Sequence, residues 1–466
     1  MPGPTSSLSS RRRKDLTRRL WSNNPGLDVV HSHAAGIDVG GREHYVAIAA
    51  PVPEPVQRFG CFTADLHRLA RWLQEHGVRT VAMQSTGVYW IPLYDVLESY
   101  GLEVFLVNAR DTKNLPGRKS DVQESQWLLK LHTYGLLRNS FRPASEIRVL
   151  RAYWRQRDTQ VKAAGHCIQR MQKALAQMNV QLATVISDLA GETGQRILRA
   201  IVAGERNPEK LATLRDQRIR ASEEEIVHSL HGNWRPELLF QLRQELALYD
   251  FYQQQIKECD QELQKQLQTL PTPTGRLTPE QKPPRRGKKR PQGNAPRFGL
   301  AAELERITGV DLTRIDGVDV MTVQTVISEV GLDMNRWPTE AHFASWLGLC
   351  PHNEVSGGKV LKRNTRKVVN RAATALRTAA STLRRSRTYL GAQYRRWVSR
   401  LGPPKAVTAM AHRLAVLFYR MLKFGQEYTD RGEAYYEQRH REQQVRSLQK
   451  RAAQLGFQVV AVGATE

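Results

Sequence analysis

The chain has 466 residues and a formal net charge of +25, which is too long for one hydrophobic core and basic enough that a polyanion, nucleic acid first, is the expected partner. Four scattered cysteines, Cys61, Cys167, Cys259 and Cys350, form no CxxC pair and no histidines cluster, so neither a disulfide framework nor a zinc site is indicated and a reducing compartment fits. No apolar run reaches the roughly 18 residues needed to cross a bilayer, and the basic start, Ser9 to Leu20, lacks the apolar core of a secretory signal; a nucleic-acid-binding arm over residues 1–30 is expected instead.

The first folded region is expected over residues 31–145. GIDVG, Gly36 to Gly40, opens an apolar strand, and His44 to Ala50 alternates like its hairpin partner. Gln57 to Phe62 and Leu102 to Val107 are further extended runs, Thr80 to Met83 is a strand ending at Gln84, and Ala64 to Glu75 and Tyr89 to Ser99 are helical. Asp121 and Glu124 stand three apart at a helix start and so project from one face. Taken singly, each acid reads as a solvated surface group. The order βββαβαβα joins them, because it is that of an α/β RNase H-like (RuvC-like) domain with acids at the ends of strands one and four and on a late helix. Asp38, Gln84, Asp121 and Glu124 are therefore the expected metal ligands, with Mg²⁺ as the ion. Such an ion offsets the charge that builds on attacking and leaving phosphate oxygens. Gln84 can coordinate through its amide oxygen but brings no charge, so the number of ions is left open.

A helical coiled-coil region is expected over residues 146–270. Val161, Ala164, Ile168, Met171, Leu175, Met178, Leu182, Val185 and Leu189 keep an alternating three-four spacing. A second run carries Leu239, Leu242, Leu246, Tyr249, Ile256, Leu263, Leu267 and Leu270, interrupted by Gln253 and Asp260. With a polar stretch from Asn207 to Trp234 between them, the two suggest a helical hairpin or a pairing between subunits. Residues 271–298 are rich in proline and positive charge and read as a linker.

A mainly α domain is expected over residues 299–430, followed by a helical tail over 431–466. Leu312 to Gly331 has the pattern of a helix-hairpin-helix element turning at Gly317, whose backbone N–H groups suit a phosphate. Ser356 precedes two glycines and Lys359, which places its hydroxyl on a loop between an apolar and a basic helix. Between Lys359 and Lys423 there is no Asp or Glu; Lys359, Lys362, Arg363, Arg366, Lys367 and Arg371 give a positive surface, with Tyr389, Tyr394 and Trp397 interleaved for base stacking. Alone, a serine before two glycines is a turn residue. Among cations it becomes a candidate nucleophile that would store a broken phosphodiester as a phosphoserine ester.

GIDVG, the stretch from Gln84 to Glu98, that from Asn108 to Leu128, the hairpin around Gly317 and the segment Gly348 to Lys359 occur together in this order. Together they resemble the DEDD transposases of insertion-sequence family one hundred and ten, in its eleven-eleven branch, over roughly Ala35 to Tyr428. The resemblance implies a bacterial, cytoplasmic, nucleoid-associated transposase with a RuvC-like domain, a coiled coil and a C-terminal transposase domain. It implies Asp38, Asp121 and Glu124 as metal ligands, Gln84 at the second acidic position and Ser356 as nucleophile. It also implies donor and target DNA as substrates, a structured non-coding guide RNA from the element, and a dimer or tetramer whose protomers share active-site halves. The chain departs from the pattern at Gln84, where the family has Glu, and at Glu124, where it commonly has Asp. Two rival readings are a junction-resolving endonuclease that uses activated water and a non-catalytic nucleic-acid-binding scaffold.

Overall fold

The computed structural model describes residues 26–49, 53–85, 87–108, 120–273, 293–357, 359–365 and 370–460. Most of the expected N-terminal arm, most of the Pro-rich linker, and Arg366 and Lys367 lie outside the described residues. Residues Met1–Arg142 and Pro143–Glu466 form two compact units. Among the described residues no helix is long and apolar enough to cross a membrane.

The first unit is a five-stranded mixed sheet in the order β3-β2-β1-β4-β5: β1 Ala34–Val39, β2 Glu43–Ile48, β3 Val56–Gly60, β4 Thr80–Gln84 and β5 Glu103–Val107. β1 to β3 run antiparallel to their neighbours, whereas β1, β4 and β5 are parallel. The central strands are nearly continuous apolar runs because helices cover both faces. On one face lie α1, Thr63–Glu75, and α2, Trp90–Ser99. Leu66, Leu69, Ala70 and Leu73 of α1 repeat at helical spacing and bury against Ile37, Val46 and Met83. On the other face lies α3, Asp121–Thr133, whose Trp127, Leu128 and Leu131 pack with Ala82 and Val107. The order and types of these elements are those expected from the sequence, and they form the α/β RNase H-like arrangement.

The second unit begins with α4, Ser145–Gln177, which packs along α9, Pro236–Thr269. Ion pairs from Arg157 to Asp260 and from Arg170 to Glu245 (2.8 Å) show that the two helices run antiparallel as a hairpin. Asp260, which breaks the apolar run, is buried and accepts from the equally buried Arg157. The expected seam through Leu189 is not one helix. α4 stops at Gln177, Asn179 turns left-handed at φ 56°, and Leu182–Val185 is a separate short helix, α5.

The polar stretch from Asn207 to Trp234 is helical in part. After α6, Glu192–Val202, it holds α7, Pro208–Ala212, and α8, Glu223–Leu230, with Leu211, Ala212, Ile226 and Leu230 buried. Asp260→Ala leaves the Arg157 guanidinium buried without its carboxylate, so a loss of about 3–5 kcal/mol is expected, read as a lower urea midpoint. The double replacement Asp260→Leu with Arg157→Met should recover most of it.

Beyond the linker come α10, Leu300–Thr308, a 3₁₀ turn Leu312–Arg314, α11, Val320–Val330, and α12, Glu340–Trp346. A hairpin follows, β6 Pro351–Ser356 and β7 Lys359–Thr365, then α13 Arg371–Thr382, α14 Tyr389–Leu401, α15 Pro403–Phe424 and α16 Glu433–Gln454. α4 docks on α11 through Glu329, which takes a two-pronged hydrogen bond from Arg155 (2.9 and 2.8 Å), and through Trp154, whose indole N–H donates to Thr325.

Candidate active site

The N-terminal acids can be placed from the sheet register upward. β1 and β4 pair in parallel up to Ile37 with Met83, so the next residues, Asp38 and Gln84, are neighbours across strands about 4.8 Å apart. Side chains alternate along a strand. Ile37 and Met83 point into the core under α1 and α2, and Asp38 and Gln84 therefore point to the opposite face, that of α3.

α3 is fixed on that face by two contacts. The hydroxyl of Thr80, at the start of β4, lies 2.9 Å from His132 Nε2 near the end of the helix. Burial holds His132 down at a pKa of about 4, with the nearby His31 adding to the effect, so the ring is neutral. Farther along, Gly36 lets the helix touch the strand: a Cβ there would stand 2.2 Å from the Leu129 nitrogen and 2.4 Å from the Ser125 carbonyl oxygen. The helix thus runs antiparallel to β1 and β4. From His132 back to Glu124 it covers about 12 Å, and from Thr80 to Gln84 the strand covers about 13 Å. Glu124 is therefore level with Gln84 and Asp38 at one end of the sheet.

Asp121 opens the helix one turn, about 4.5 Å, farther along. Its N-cap Ser120 forms a capping box with Gln123. Both acids sit in the first turn, where the helix dipole favours negative charge. Asp121 is exposed, Asp38 and Glu124 are half-buried, and Gln84 is buried.

Hard oxygens on Asp38, Gln84 and Glu124 have the donor chemistry of an Mg²⁺ site. Yet among the described residues no three His, Cys, Asp or Glu side chains stand close enough together to hold an ion. The amide at Gln84 and the one-turn offset of Asp121 account for that. The donor set fits in kind and falls short in number of acids.

In the second unit, Ser356 is not on a loop between helices. It ends β6 and pairs with Lys359 across a two-residue turn in which Gly357 takes φ 54°. A Gly-Gly turn that admits positive φ is what makes the segment a hairpin. Lys362 and Arg363 are on β7, facing Glu354 and Asn353 in register. Pro351, Asn353, Gly357, Lys359, Val360, Leu361 and Thr365 are all exposed, so these parts of the ribbon pack against no core.

Arg371 opens α13 and pairs with Asp158 of α4 at 3.1 Å, which neutralises part of the expected positive surface. The expected helix-hairpin-helix is a 3₁₀ turn followed by α11. Gly317 is left-handed at φ 80° and sits against α13, where a Cβ would meet the Ala379 carbonyl oxygen at 2.7 Å. Tyr394 is buried in the core, while Tyr389 and Trp397 face a cavity together with Arg396, Arg400 and Arg413, which the sequence reading did not single out.

Residues 35–180 match the model of the IS110 DEDD transposases, described as a transposase, and residues 311–395 match the model described as transposase IS116/IS110/IS902 family. Both segments are thus similar to IS110-family transposases. No curated protein matches the chain. The first matched segment spans the sheet and α3 and ends in the turn after α4. The second runs from the turn before Gly317 into α14 and contains Ser356. The matches support a DNA transposase, with DNA as substrate and the cutting and joining of its strands as activity.

Proposed function

We propose that this transposase is an RNA-guided DNA recombinase in which Ser356 is the nucleophile and Asp38, Gln84, Asp121 and Glu124 bind Mg²⁺. The observation that carries the reading is the convergence of Asp38, Gln84 and Glu124 on one end of the sheet, level with each other and on the face covered by α3. Bound there, Mg²⁺ would neutralise charge on phosphate oxygens.

The Ser356 oxygen forms a bond to phosphorus. The bond from phosphorus to one sugar oxygen breaks, and that oxygen leaves as a hydroxyl with the proton that serine gives up. A hydroxyl from a second strand then attacks the phosphoserine ester, restores the serine and seals the new strand. Bond energy is conserved throughout, so no nucleotide cofactor is consumed. Lys359, Lys362, Arg363, Arg366, Lys367 and Arg371, with the turn at Gly317, hold the nucleic acid backbone, and the working form is a dimer or tetramer. Base pairing by a guide RNA supplies target choice, so the protein itself needs only shape and charge.

Sequencing the nucleic acid that copurifies with the protein tests the guided part. One discrete, structured RNA is the expected result, and random fragments would remove guidance from the proposal. Gln84 and the missing third acid favour a second reading, a nucleic-acid-binding scaffold without chemistry. Strand exchange between two DNA duplexes by the purified RNA–protein complex, abolished by EDTA, rules that reading out.

A further inference from the structure

We infer that the groove between α14 and α16 is a pocket for one unpaired nucleotide of a single-stranded segment. It is a cavity of about 710 Å³, within the range of small-ligand sites. Its walls are two helical stripes. α14 supplies Tyr389, Arg396, Trp397 and Arg400, and α16 supplies Tyr436, Arg439 and His440, each set at the three-four spacing of one helix face. The set of cations and rings is one-sided: no acid lines the groove, although Glu437 pairs with Arg396 at 2.7 Å from beside it.

The aromatic lining is already arranged for stacking. Tyr389 meets Tyr436 edge to face at 5.0 Å, and His440 lies parallel to Tyr436 at 6.2 Å. A base is the flat group that such rings accept, and the arginines suit its phosphate.

Two buried atoms decide between a general anion and a nucleotide. Arg413 of α15 and Gln393 of α14 both line the cavity, and the Arg413 Nε–H and the Gln393 Oε1 are buried without a hydrogen-bond partner. Buried polar atoms ordinarily find partners. One donor and one acceptor left open in the same groove match the edge of a base, which carries both. A bare phosphate would answer the donor alone. The base must be unpaired, because a duplex keeps that edge occupied.

The inference rests on the reading that the chain handles nucleic acid and not on which residues cut it. Its test uses the full-length protein and fluorescein-labelled (dT)₁₂, (rU)₁₂ and a 12-base-pair duplex, with anisotropy read at physiological salt. Trp397→Ala and the double variant Arg400→Ala with Arg439→Ala are expected to weaken single-strand binding about tenfold or more, with duplex binding kept within about twofold. Both replaced arginines are exposed, so the double variant keeps its fold, which an unchanged melting curve verifies.

Tighter binding of (rU)₁₂ than of (dT)₁₂ would identify the occupant as RNA, and the reverse would identify it as DNA; either supports the pocket. Equal losses for duplex and single strands would reduce the groove to a general positive surface and overturn it, as would variants that bind single strands like the wild type. Failure of the wild type to bind any probe would instead sink the parent reading.

Discussion

Ser356→Ala is expected to abolish recombination, by on the order of 10³-fold or more, and to remove the covalent protein–DNA adduct entirely, while DNA binding stays within about twofold. The hydroxyl is the one protein group in the proposal that forms a bond to phosphorus, and alanine offers no substitute. Ser356 closes a two-residue turn on a ribbon whose described flanking side chains, from Asn353 to Leu361, are exposed. A two-stranded hairpin is marginal by itself, so truncating one side chain of it costs the rest of the fold little. A suicide substrate, nicked so that the leaving strand diffuses away, traps the adduct. Denaturing gels and mass spectrometry of the tryptic peptide spanning Ser356 then read it. Full recombination by Ser356→Ala would end the serine role and leave activated water as the attacking group.

Asp38→Asn is the second large effect. The replacement keeps size and shape and removes one charge beside Gln84, leaving Glu124 as the sole carboxylate level with the strand ends. Strand cleavage should fall by about 10³-fold, with a melting temperature close to that of the wild type in EDTA. The converse change, Gln84→Glu, adds a carboxylate beside Asp38 at a buried position. It should destabilise the metal-free protein, because two like charges then share a poorly solvated site. It should also make melting strongly dependent on Mg²⁺, since an ion that binds only the folded state stabilises it. Cleavage against Mg²⁺ concentration and melting against Mg²⁺ concentration together check both variants. Unchanged cleavage by Asp38→Asn would remove Asp38 from the proposed metal-binding set.

Much of the first unit was legible because its signals are local. Period-two alternation in β2, the apolar Val81 to Met83 of β4 and helical spacing in α1 each stand out in a few residues, and the topology follows from their order. The neighbourhood of Asp38 and Gln84 is then a matter of counting along parallel strands. Glu124 was legible only as a helix residue, because its level along the sheet depends on the Gly36 and Thr80 contacts with α3.

The helical region was harder. A continuous three-four repeat runs through Met178, but Asn179 turns left-handed, and the same apolar positions serve first α4 and then α5. The short helices α7 and α8 carry few apolar residues. Their signal was present as caps: Asn207 before Pro208, and Ser222 with Glu225 in a capping box. Asp260 looked like a fault in the seam, since nothing local announces a partner as far away as Arg157. Gly357 and Gly358 likewise signal a hairpin turn as readily as a loop.

The contact at Gly36 sets a limit on how this protein can change. Because the backbone of α3 lies directly on the strand there, the gap between the strand and helix main chains is fixed, and only the side chains they bear can adjust the distance between their oxygens. Any larger residue at that position would lever the helix outward and widen the gap past the reach of a small ion. If the proposed site holds an ion, a change of cation would have to come from exchanging the side chains at Asp38, Gln84 and Glu124 and not from moving the scaffold that bears them.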